Sequence, residues 1–299
     1  MRTGQILALM GCLLLVGGAL RADTPPAPKA WEVPGTKVGD EITGPDGGKM
    51  VWVPAGEFMM GSNETTEFFA DMAPAHKVKL TQGFWLGKCE ITTAQWQQYL
   101  KDAGTQNWPG SDQPTPGPDY PAWKISWDDA TAYCKRYGLR LPTEAQWEYA
   151  AAGPDSRKFP WGNEWDPTKC CNALNRGPAE RTWPAGKFPQ GAAWCGALDM
   201  AGSVWEWCQD WWAQDYYANS PAVDPTGPDS GRYRPLRGGS WDFKGDWCRC
   251  VVRHNYLPAD RNFNNGFRVA YVPGGRAGRV GILAGRRRGD GDRGGALHQ

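Results

Sequence analysis

Three observations predict an α+β domain that is loop-rich and low in regular secondary structure. The 299-residue chain carries 39 Gly and 25 Pro, a level that interrupts long helices. Stretches with helical spacing occur early, and after Gly153 helix signals are scarce for about 120 residues. Short strand-like runs precede the helices, and strand-rich, irregular chain follows them, the order of an α+β class. The 18 Trp must hold such an irregular body together, each burying a large ring with one N–H to satisfy.

Taken in order, the chain starts like an export signal over residues 1–22. Arg2 supplies the charged start, Ile6–Ala19 the apolar run and Leu20-Arg21-Ala22 the small-residue end. That run is shorter than the roughly 20 residues of a membrane helix, so no membrane span is expected. A secreted or periplasmic location would permit disulfides among the eight cysteines that follow it. Residues 23–40 are Pro-rich and read as a linker. Residues 41–272 read as one body, without a second linker or an internal repeat. Residues 273–299 hold nine Gly, six Arg and two Asp, with little to bury, and read as a disordered tail.

Within the body, "KMVWVPAGEFMMGS" reads as a strand pair broken at Pro54-Ala55-Gly56, and "VKLTQGFWLGKCEIT" is similar. Three helices follow. "TTAQWQQYLKDAG" places Trp96, Tyr99 and Leu100 at helical spacing. "SWDDATAYCKRYG" opens on a Ser126/Asp129 capping box and stops at Gly138; "PTEAQWEYAAAG" opens on Thr143/Gln146 and stops at Gly153.

Charge and composition exclude several function classes. With 33 basic and 32 acidic residues, no nucleic-acid partner or polybasic membrane contact is expected. The chain has His76, His254 and His298 only, which argues against a multi-His metal centre. Cys248 and Cys250 sit two apart. On a strand both would face one side, so a metal pair, a redox pair, half a disulfide and buried filler are all open. His254 has no nucleophile to serve, and Arg140, Glu144, Arg237, Arg253 and Arg268 read as structural ties.

Several stretches together carry a family resemblance: "VPAGEFMMGS", "CEITTAQWQQYL", "RLPTEAQWEYAAAG", "FPWGNE", "GALDMAGSVWEWCQDWW", "RPLRGGSW" and "NNGFRVA". In this order they resemble the formylglycine-generating enzyme family, the sulfatase-modifying factors, over about residues 45–272. The resemblance implies a single C-type-lectin-like domain. It also implies an oxidase that converts a sulfatase cysteine to formylglycine with oxygen and copper(I) held by two cysteines, a ligand set that suits a soft ion.

This chain departs from that pattern where the chemistry lies. Aligned on "RCVVR", the second copper cysteine falls at Gly245, and the first falls in the shortened run Trp241-Asp242-Phe243-Lys244. Ser240 matches an active-site serine of the family. The candidates left for catalysis are Cys248, Cys250 and Ser240, none of them at a copper position. The resemblance further implies a calcium site from the Asp199 and Glu206 side chains and the Gly202 and Val204 carbonyls, the oxygen set a hard cation takes. For a second calcium site it supplies Asn172, but Gly186 stands where a carboxylate is expected. It also brings the segments of Cys208 and Cys248 into one region, which suggests a Cys208–Cys248 disulfide, with Cys170 or Cys171 pairing elsewhere, for example with Cys195. The expected partners of Cys134 and Cys250 are replaced by Val269 and Ala151.

The resulting expectation is an exported, monomeric, calcium-stabilised relative that is non-catalytic and binds a peptide, a glycan or a sulfatase. The alternative is an active copper-dependent oxidase.

Overall fold

A computed structural model of the chain describes residues 28–64, 66–106, 108 and 117–274. The expected export signal lies outside these residues, as does nearly all of the expected tail. Among the described residues no helix is long and apolar enough to cross a membrane.

The three helices form where their caps are written. Helix α1 is Thr93–Asp102, α2 is Trp127–Tyr137 and α3 is Glu144–Ala152. Each begins with a reciprocal capping box, Thr92 with Gln95, Ser126 with Asp129 and Thr143 with Gln146. These boxes satisfy backbone N–H groups that the first turn leaves without partners. Helix α2 stops at Gly138, whose left-handed backbone (φ 68°) lets its N–H return to Cys134 and Lys135. Helices α1 and α2 are amphipathic, but α3 is buried on every face. Its two glutamates are tolerated there because arginines meet them, as described below.

The strands are short: β1 Glu41–Thr43, β2 Lys49–Val53, β3 Gly56–Met60, β4 His76–Leu80, β5 Phe84–Gly87, β6 Trp205–Trp207, β7 Arg234–Arg237, β8 Arg253–Tyr256, β9 Asn265–Gly266 and β10 Ala270–Tyr271. One sheet has the order β1-β2-β5-β10, a second is β3-β4, and a third is β8-β7-β6-β9. Pairing is antiparallel except between β6 and β9. The two predicted strand pairs exist as strands but not as hairpins. Pro54-Ala55 separates β2 from β3, and β2 pairs with β5 while β3 pairs with β4. The break redirects the chain because Pro54 has no N–H to continue a ladder.

Residues 28–40 of the expected linker are packed on the body. Trp31 packs against the core. The Trp85 indole donates to the Val33 carbonyl at 2.9 Å, and Gly39 and Trp52 bond across β2. Asp40 fixes this turn by accepting from the Thr36 and Lys37 amides. These residues are thus tied down through Trp31, the Val33 carbonyl and the Asp40 carboxylate.

Aromatic rings fill the interior. One cluster stacks Trp96, Tyr133 and Phe267 with Trp205 and Trp207; a second packs Trp147 and Tyr149 of α3 against Phe58 and Leu86. Buried indoles find acceptors, such as Trp207 to the Ile125 carbonyl at 2.8 Å and Trp147 to Glu206 at 2.7 Å, as desolvated N–H groups require.

Candidate functional site

The third sheet delivers the predicted site residues. After β7 the chain turns through Gly238 and Gly239, both left-handed (φ 97° and 79°), and reaches Ser240. The Trp241 amide donates to the Ser203 carbonyl at 2.8 Å, which locks this turn to the segment before β6. Ser240 is fully buried. Its hydroxyl donates to the Asp242 carboxylate, and Asn264 Nδ2 donates to Ser240 Oγ and Asp242 Oδ1, each at 3.2 Å. Ser240 is therefore engaged on both its donor and acceptor sides. Asn264, the first residue of the "NNGFRVA" motif, was given no role by the sequence; it arrives from a loop 24 residues away.

Outside this network lies a crease lined by Tyr120, Trp123, Arg181, Thr182, Trp241 and Phe263. Its cavity volume is about 10 Å³, room for no more than a water. The Arg181 guanidinium lies over the Trp123 ring at 4.6 Å, and Arg176 over Trp241 at 5.3 Å. Phe263 packs beside Trp241 while half exposed.

Cys248 and Cys250 do not share a face. Gly245–Cys248 is a 3-10 turn rather than a strand, so the two-residue spacing does not align the side chains. Cys248 enters a small cluster with Cys170 and Ala201 beneath Trp161 and Trp165. Cys250 enters the α3 core, where its carbonyl accepts from Arg237 at 3.0 Å. Both are fully buried. The hydrogen bond to Cys170, followed by burial, raises the Cys248 thiol well above its ordinary pKa; burial raises Cys250. Neither has the exposed thiolate a reactive centre needs.

The expected Cys208–Cys248 bridge is not formed. Cys208 continues from β6 opposite Pro235, in the core shared with Cys195 and Cys250, apart from the Cys248 cluster. The family-based proximity concerns segments, and the intervening turn sends the two side chains to different clusters. Cys195 is likewise apart from Cys170, in the α3 core with its thiol on the Ala150 carbonyl. All eight described cysteines are unbridged.

The calcium set is only partly assembled. Glu206 is fully buried and accepts from Arg268 Nε at 2.5 Å, Arg268 Nη2 at 2.6 Å and Trp147 Nε1 at 2.7 Å. These bonds engage both of its oxygens. Asp199, at the left-handed φ of 56°, accepts the Gly186 amide at 2.6 Å. So Gly186, which breaks the second predicted site, serves the first. Asn172 holds its own loop, donating to the Pro167 and Cys170 carbonyls.

A residue missed in the sequence completes this cluster. Glu90 is buried against Asp199 and Glu206, and neither of its oxygens has a hydrogen bond of normal geometry. Burial first, then the neighbouring carboxyls, raise Glu90 well above the usual range; burial also raises Asp199. Orphaned buried oxygens are the chemistry a hard cation satisfies. Among the described residues, however, no three His, Cys, Asp or Glu side chains converge on one metal position. The one signal for Glu90 was a charge set into the apolar run of "LGKCEIT".

The arginines are ties, as expected. Arg253 grips Glu144 through Nε at 2.6 Å and Nη2 at 3.0 Å, and Arg237 pairs with Glu148 and lies 3.4 Å from Glu144. Arg140 donates to the Leu141 carbonyl. His254 sits among the rings of Trp205, Trp247 and Tyr256, and burial lowers its pKa. It faces no nucleophile.

The description "Sulfatase-modifying factor enzyme 1-like domain" matches residues 38–272. The chain belongs to this family. The formylglycine-generating enzyme of Streptomyces coelicolor is 41% identical over 169 residues, which cover 51% of this chain and 53% of that enzyme. The hercynine oxygenase of Mycolicibacterium smegmatis is 31% identical over 266 residues, covering 75% of this chain and 61% of that one. The chain thus spans less than two thirds of either relative. Among solved structures, PvdO from Pseudomonas aeruginosa is 28% identical with a TM-score of 0.68, covering 79% of this chain and 99% of PvdO. Sulfatase-modifying factor relatives therefore carry different named activities on one fold, and activity must be argued from the site.

Proposed function

We propose that this chain is an exported, non-catalytic member of the sulfatase-modifying factor family that binds a peptide, glycan or sulfatase. One observation supports the reading: where the family resemblance puts a copper cysteine this chain has Gly245, and the nearby Cys248 and Cys250 are buried in separate clusters. Two thiolates cannot close on one copper(I) ion from there. The binding face would be the surface over Trp241, Phe263 and Trp123, where the rings and adjacent arginines suit stacking against sugars or extended peptides.

The alternative, an active copper-dependent oxidase, draws on the similarity to the Streptomyces enzyme. One assay separates them. Purified protein is incubated with copper(I), oxygen and a Cys-x-Pro-x-Arg peptide. Mass spectrometry should find the peptide thiol intact; its conversion to an aldehyde would establish the oxidase.

Calcium belongs to the same proposal. The orphaned Glu90 oxygens, the second Asp199 oxygen and the Gly202 and Val204 carbonyls would hold it, with Glu206 kept in place by Arg268. A divalent cation there would supply the positive charge that three buried carboxyls and one arginine lack. Calcium at a hundredfold excess over its Kd should raise Tm by about 5–10 °C relative to chelator. Glu90→Gln should lose most of that response. Identical melting in calcium and chelator would remove the site.

A further inference from the structure

We propose that Cys170 and Cys248 are a disulfide pair, a cross-link between the loop after residue 166 and the loop that follows Ser240. It is independent of which reading of the function holds. Both lie in one small apolar cluster with Ala201, under Trp161 and Trp165. Two glycines make room for them. A side chain at Gly239 would come within 3.0 Å of Cys248 Sγ, and one at Gly202 within 3.7 Å of Cys170 Sγ. The segment at Gly202 ties to both sides: its N–H donates to the Gly238 carbonyl at 2.7 Å, and the Ser203 N–H donates to the Cys171 carbonyl at 2.9 Å.

The competing sulfurs are occupied elsewhere. The Cys171 thiol donates to the Arg181 carbonyl at 3.6 Å and Cys195 to the Ala150 carbonyl at 3.4 Å; Cys208 turns to the Glu206 carbonyl at 4.0 Å. Cys170 and Cys248 are 2% and 0% exposed, so the bond forms during folding, before the two tryptophans close over it. The oxidant is a disulfide, of a small molecule or of a partner protein. One cysteine thiolate attacks it, forming a mixed disulfide and releasing one thiol. The second cysteine thiolate attacks the mixed disulfide and releases the other. Two thiols and one disulfide become one disulfide and two thiols, with electrons and protons balanced.

The test is to refold the full chain with oxidised glutathione, denature it without reductant, alkylate, digest and map by mass spectrometry. Cys170 and Cys171 lie between the same basic residues, Lys169 and Arg176, so a Cys171→Ser variant is mapped in parallel. The expected result in both proteins is a peptide linked through Cys248 and Cys170, with Cys195 and Cys208 alkylated. Alkylated Cys248, or Cys248 linked to Cys171 or Cys208, overturns the proposal. A second measurement needs no variant: oxidised protein should melt about 5–15 °C above reduced protein, as expected for a bridge closing a loop of this length. Cys208→Ser should keep that difference and Cys248→Ser should lose it. Equal melting of oxidised and reduced wild-type protein overturns the proposal.

Discussion

Glu144→Ala should destabilise the protein by about 3–5 kcal/mol, enough to unfold a marginal domain at modest temperature. Burial alone would raise the Glu144 carboxyl, but the Arg253 and Arg237 guanidiniums outweigh it and hold its pKa below the usual carboxylate range. Truncation leaves Arg253 fully enclosed with backbone carbonyls of Asp71 and Ala213 as its remaining acceptors. It also leaves Glu148 alone opposite Arg237. The cost is that of a buried, uncompensated charge, larger than the worth of the pair itself. A lower urea midpoint with an unchanged slope would report it. The control is Glu57→Ala, which removes an ion pair to Lys77 of 2.6 Å between exposed side chains and should leave the midpoint where it was. If both variants shift equally, burial is not what makes the α3 network matter.

Gly202→Ala should cost about 3 kcal/mol or more, from two additive sources. Gly202 has φ 73°, a backbone that a residue with a Cβ enters at about 1–2 kcal/mol. The added carbon would also fall 1.8 Å from the Cys171 carbonyl oxygen, backbone that cannot rotate away. Relief requires separating the Cys171 and Gly202 segments, which Ser203 N–H joins to the Cys171 carbonyl at 2.9 Å. Gly47→Ala isolates the first source, because Gly47 has φ 81° and open space around it. Thermal unfolding of the two variants should differ by the clash alone; similar losses would mean that the loop yields freely.

The parts of this fold legible in the sequence are those fixed by neighbours along the chain. The capping boxes at Thr92, Ser126 and Thr143 and the stop at Gly138 are local chemistry, and the helices start and end where they say. The pairing of β2 with β5 is decided by contacts more than 30 residues apart, and period-two alternation says only that a strand exists. The same division runs through the site. Motifs placed Ser240, Asp199 and Glu206 in one region, but which side chains meet depends on tertiary detail. Asp242 and Asn264 close on Ser240, Arg268 takes Glu206, and Glu90 is left without a hydrogen bond of normal geometry. Of the roles left open for Cys248 and Cys250, a shared metal or redox face depended on a strand, and Gly245–Cys248 is a 3-10 turn. The arginine ties were legible in kind, because a buried guanidinium must meet carboxylates or carbonyls wherever it lands.

The sheet order β1-β2-β5-β10 places Glu41–Thr43 and Ala270–Tyr271 in a single layer. A ribosome delivers the first of these strands long before the last. Until Ala270 emerges, β5 lacks one of its two neighbours and the Arg140 backbone lacks its two bonds to Ala270, of 2.7 and 3.0 Å. The parallel strand at Asn265–Gly266 arrives equally late. Two of the sheets are thus completed only by chain from the far end of the domain, and such non-local pairing folds slowly.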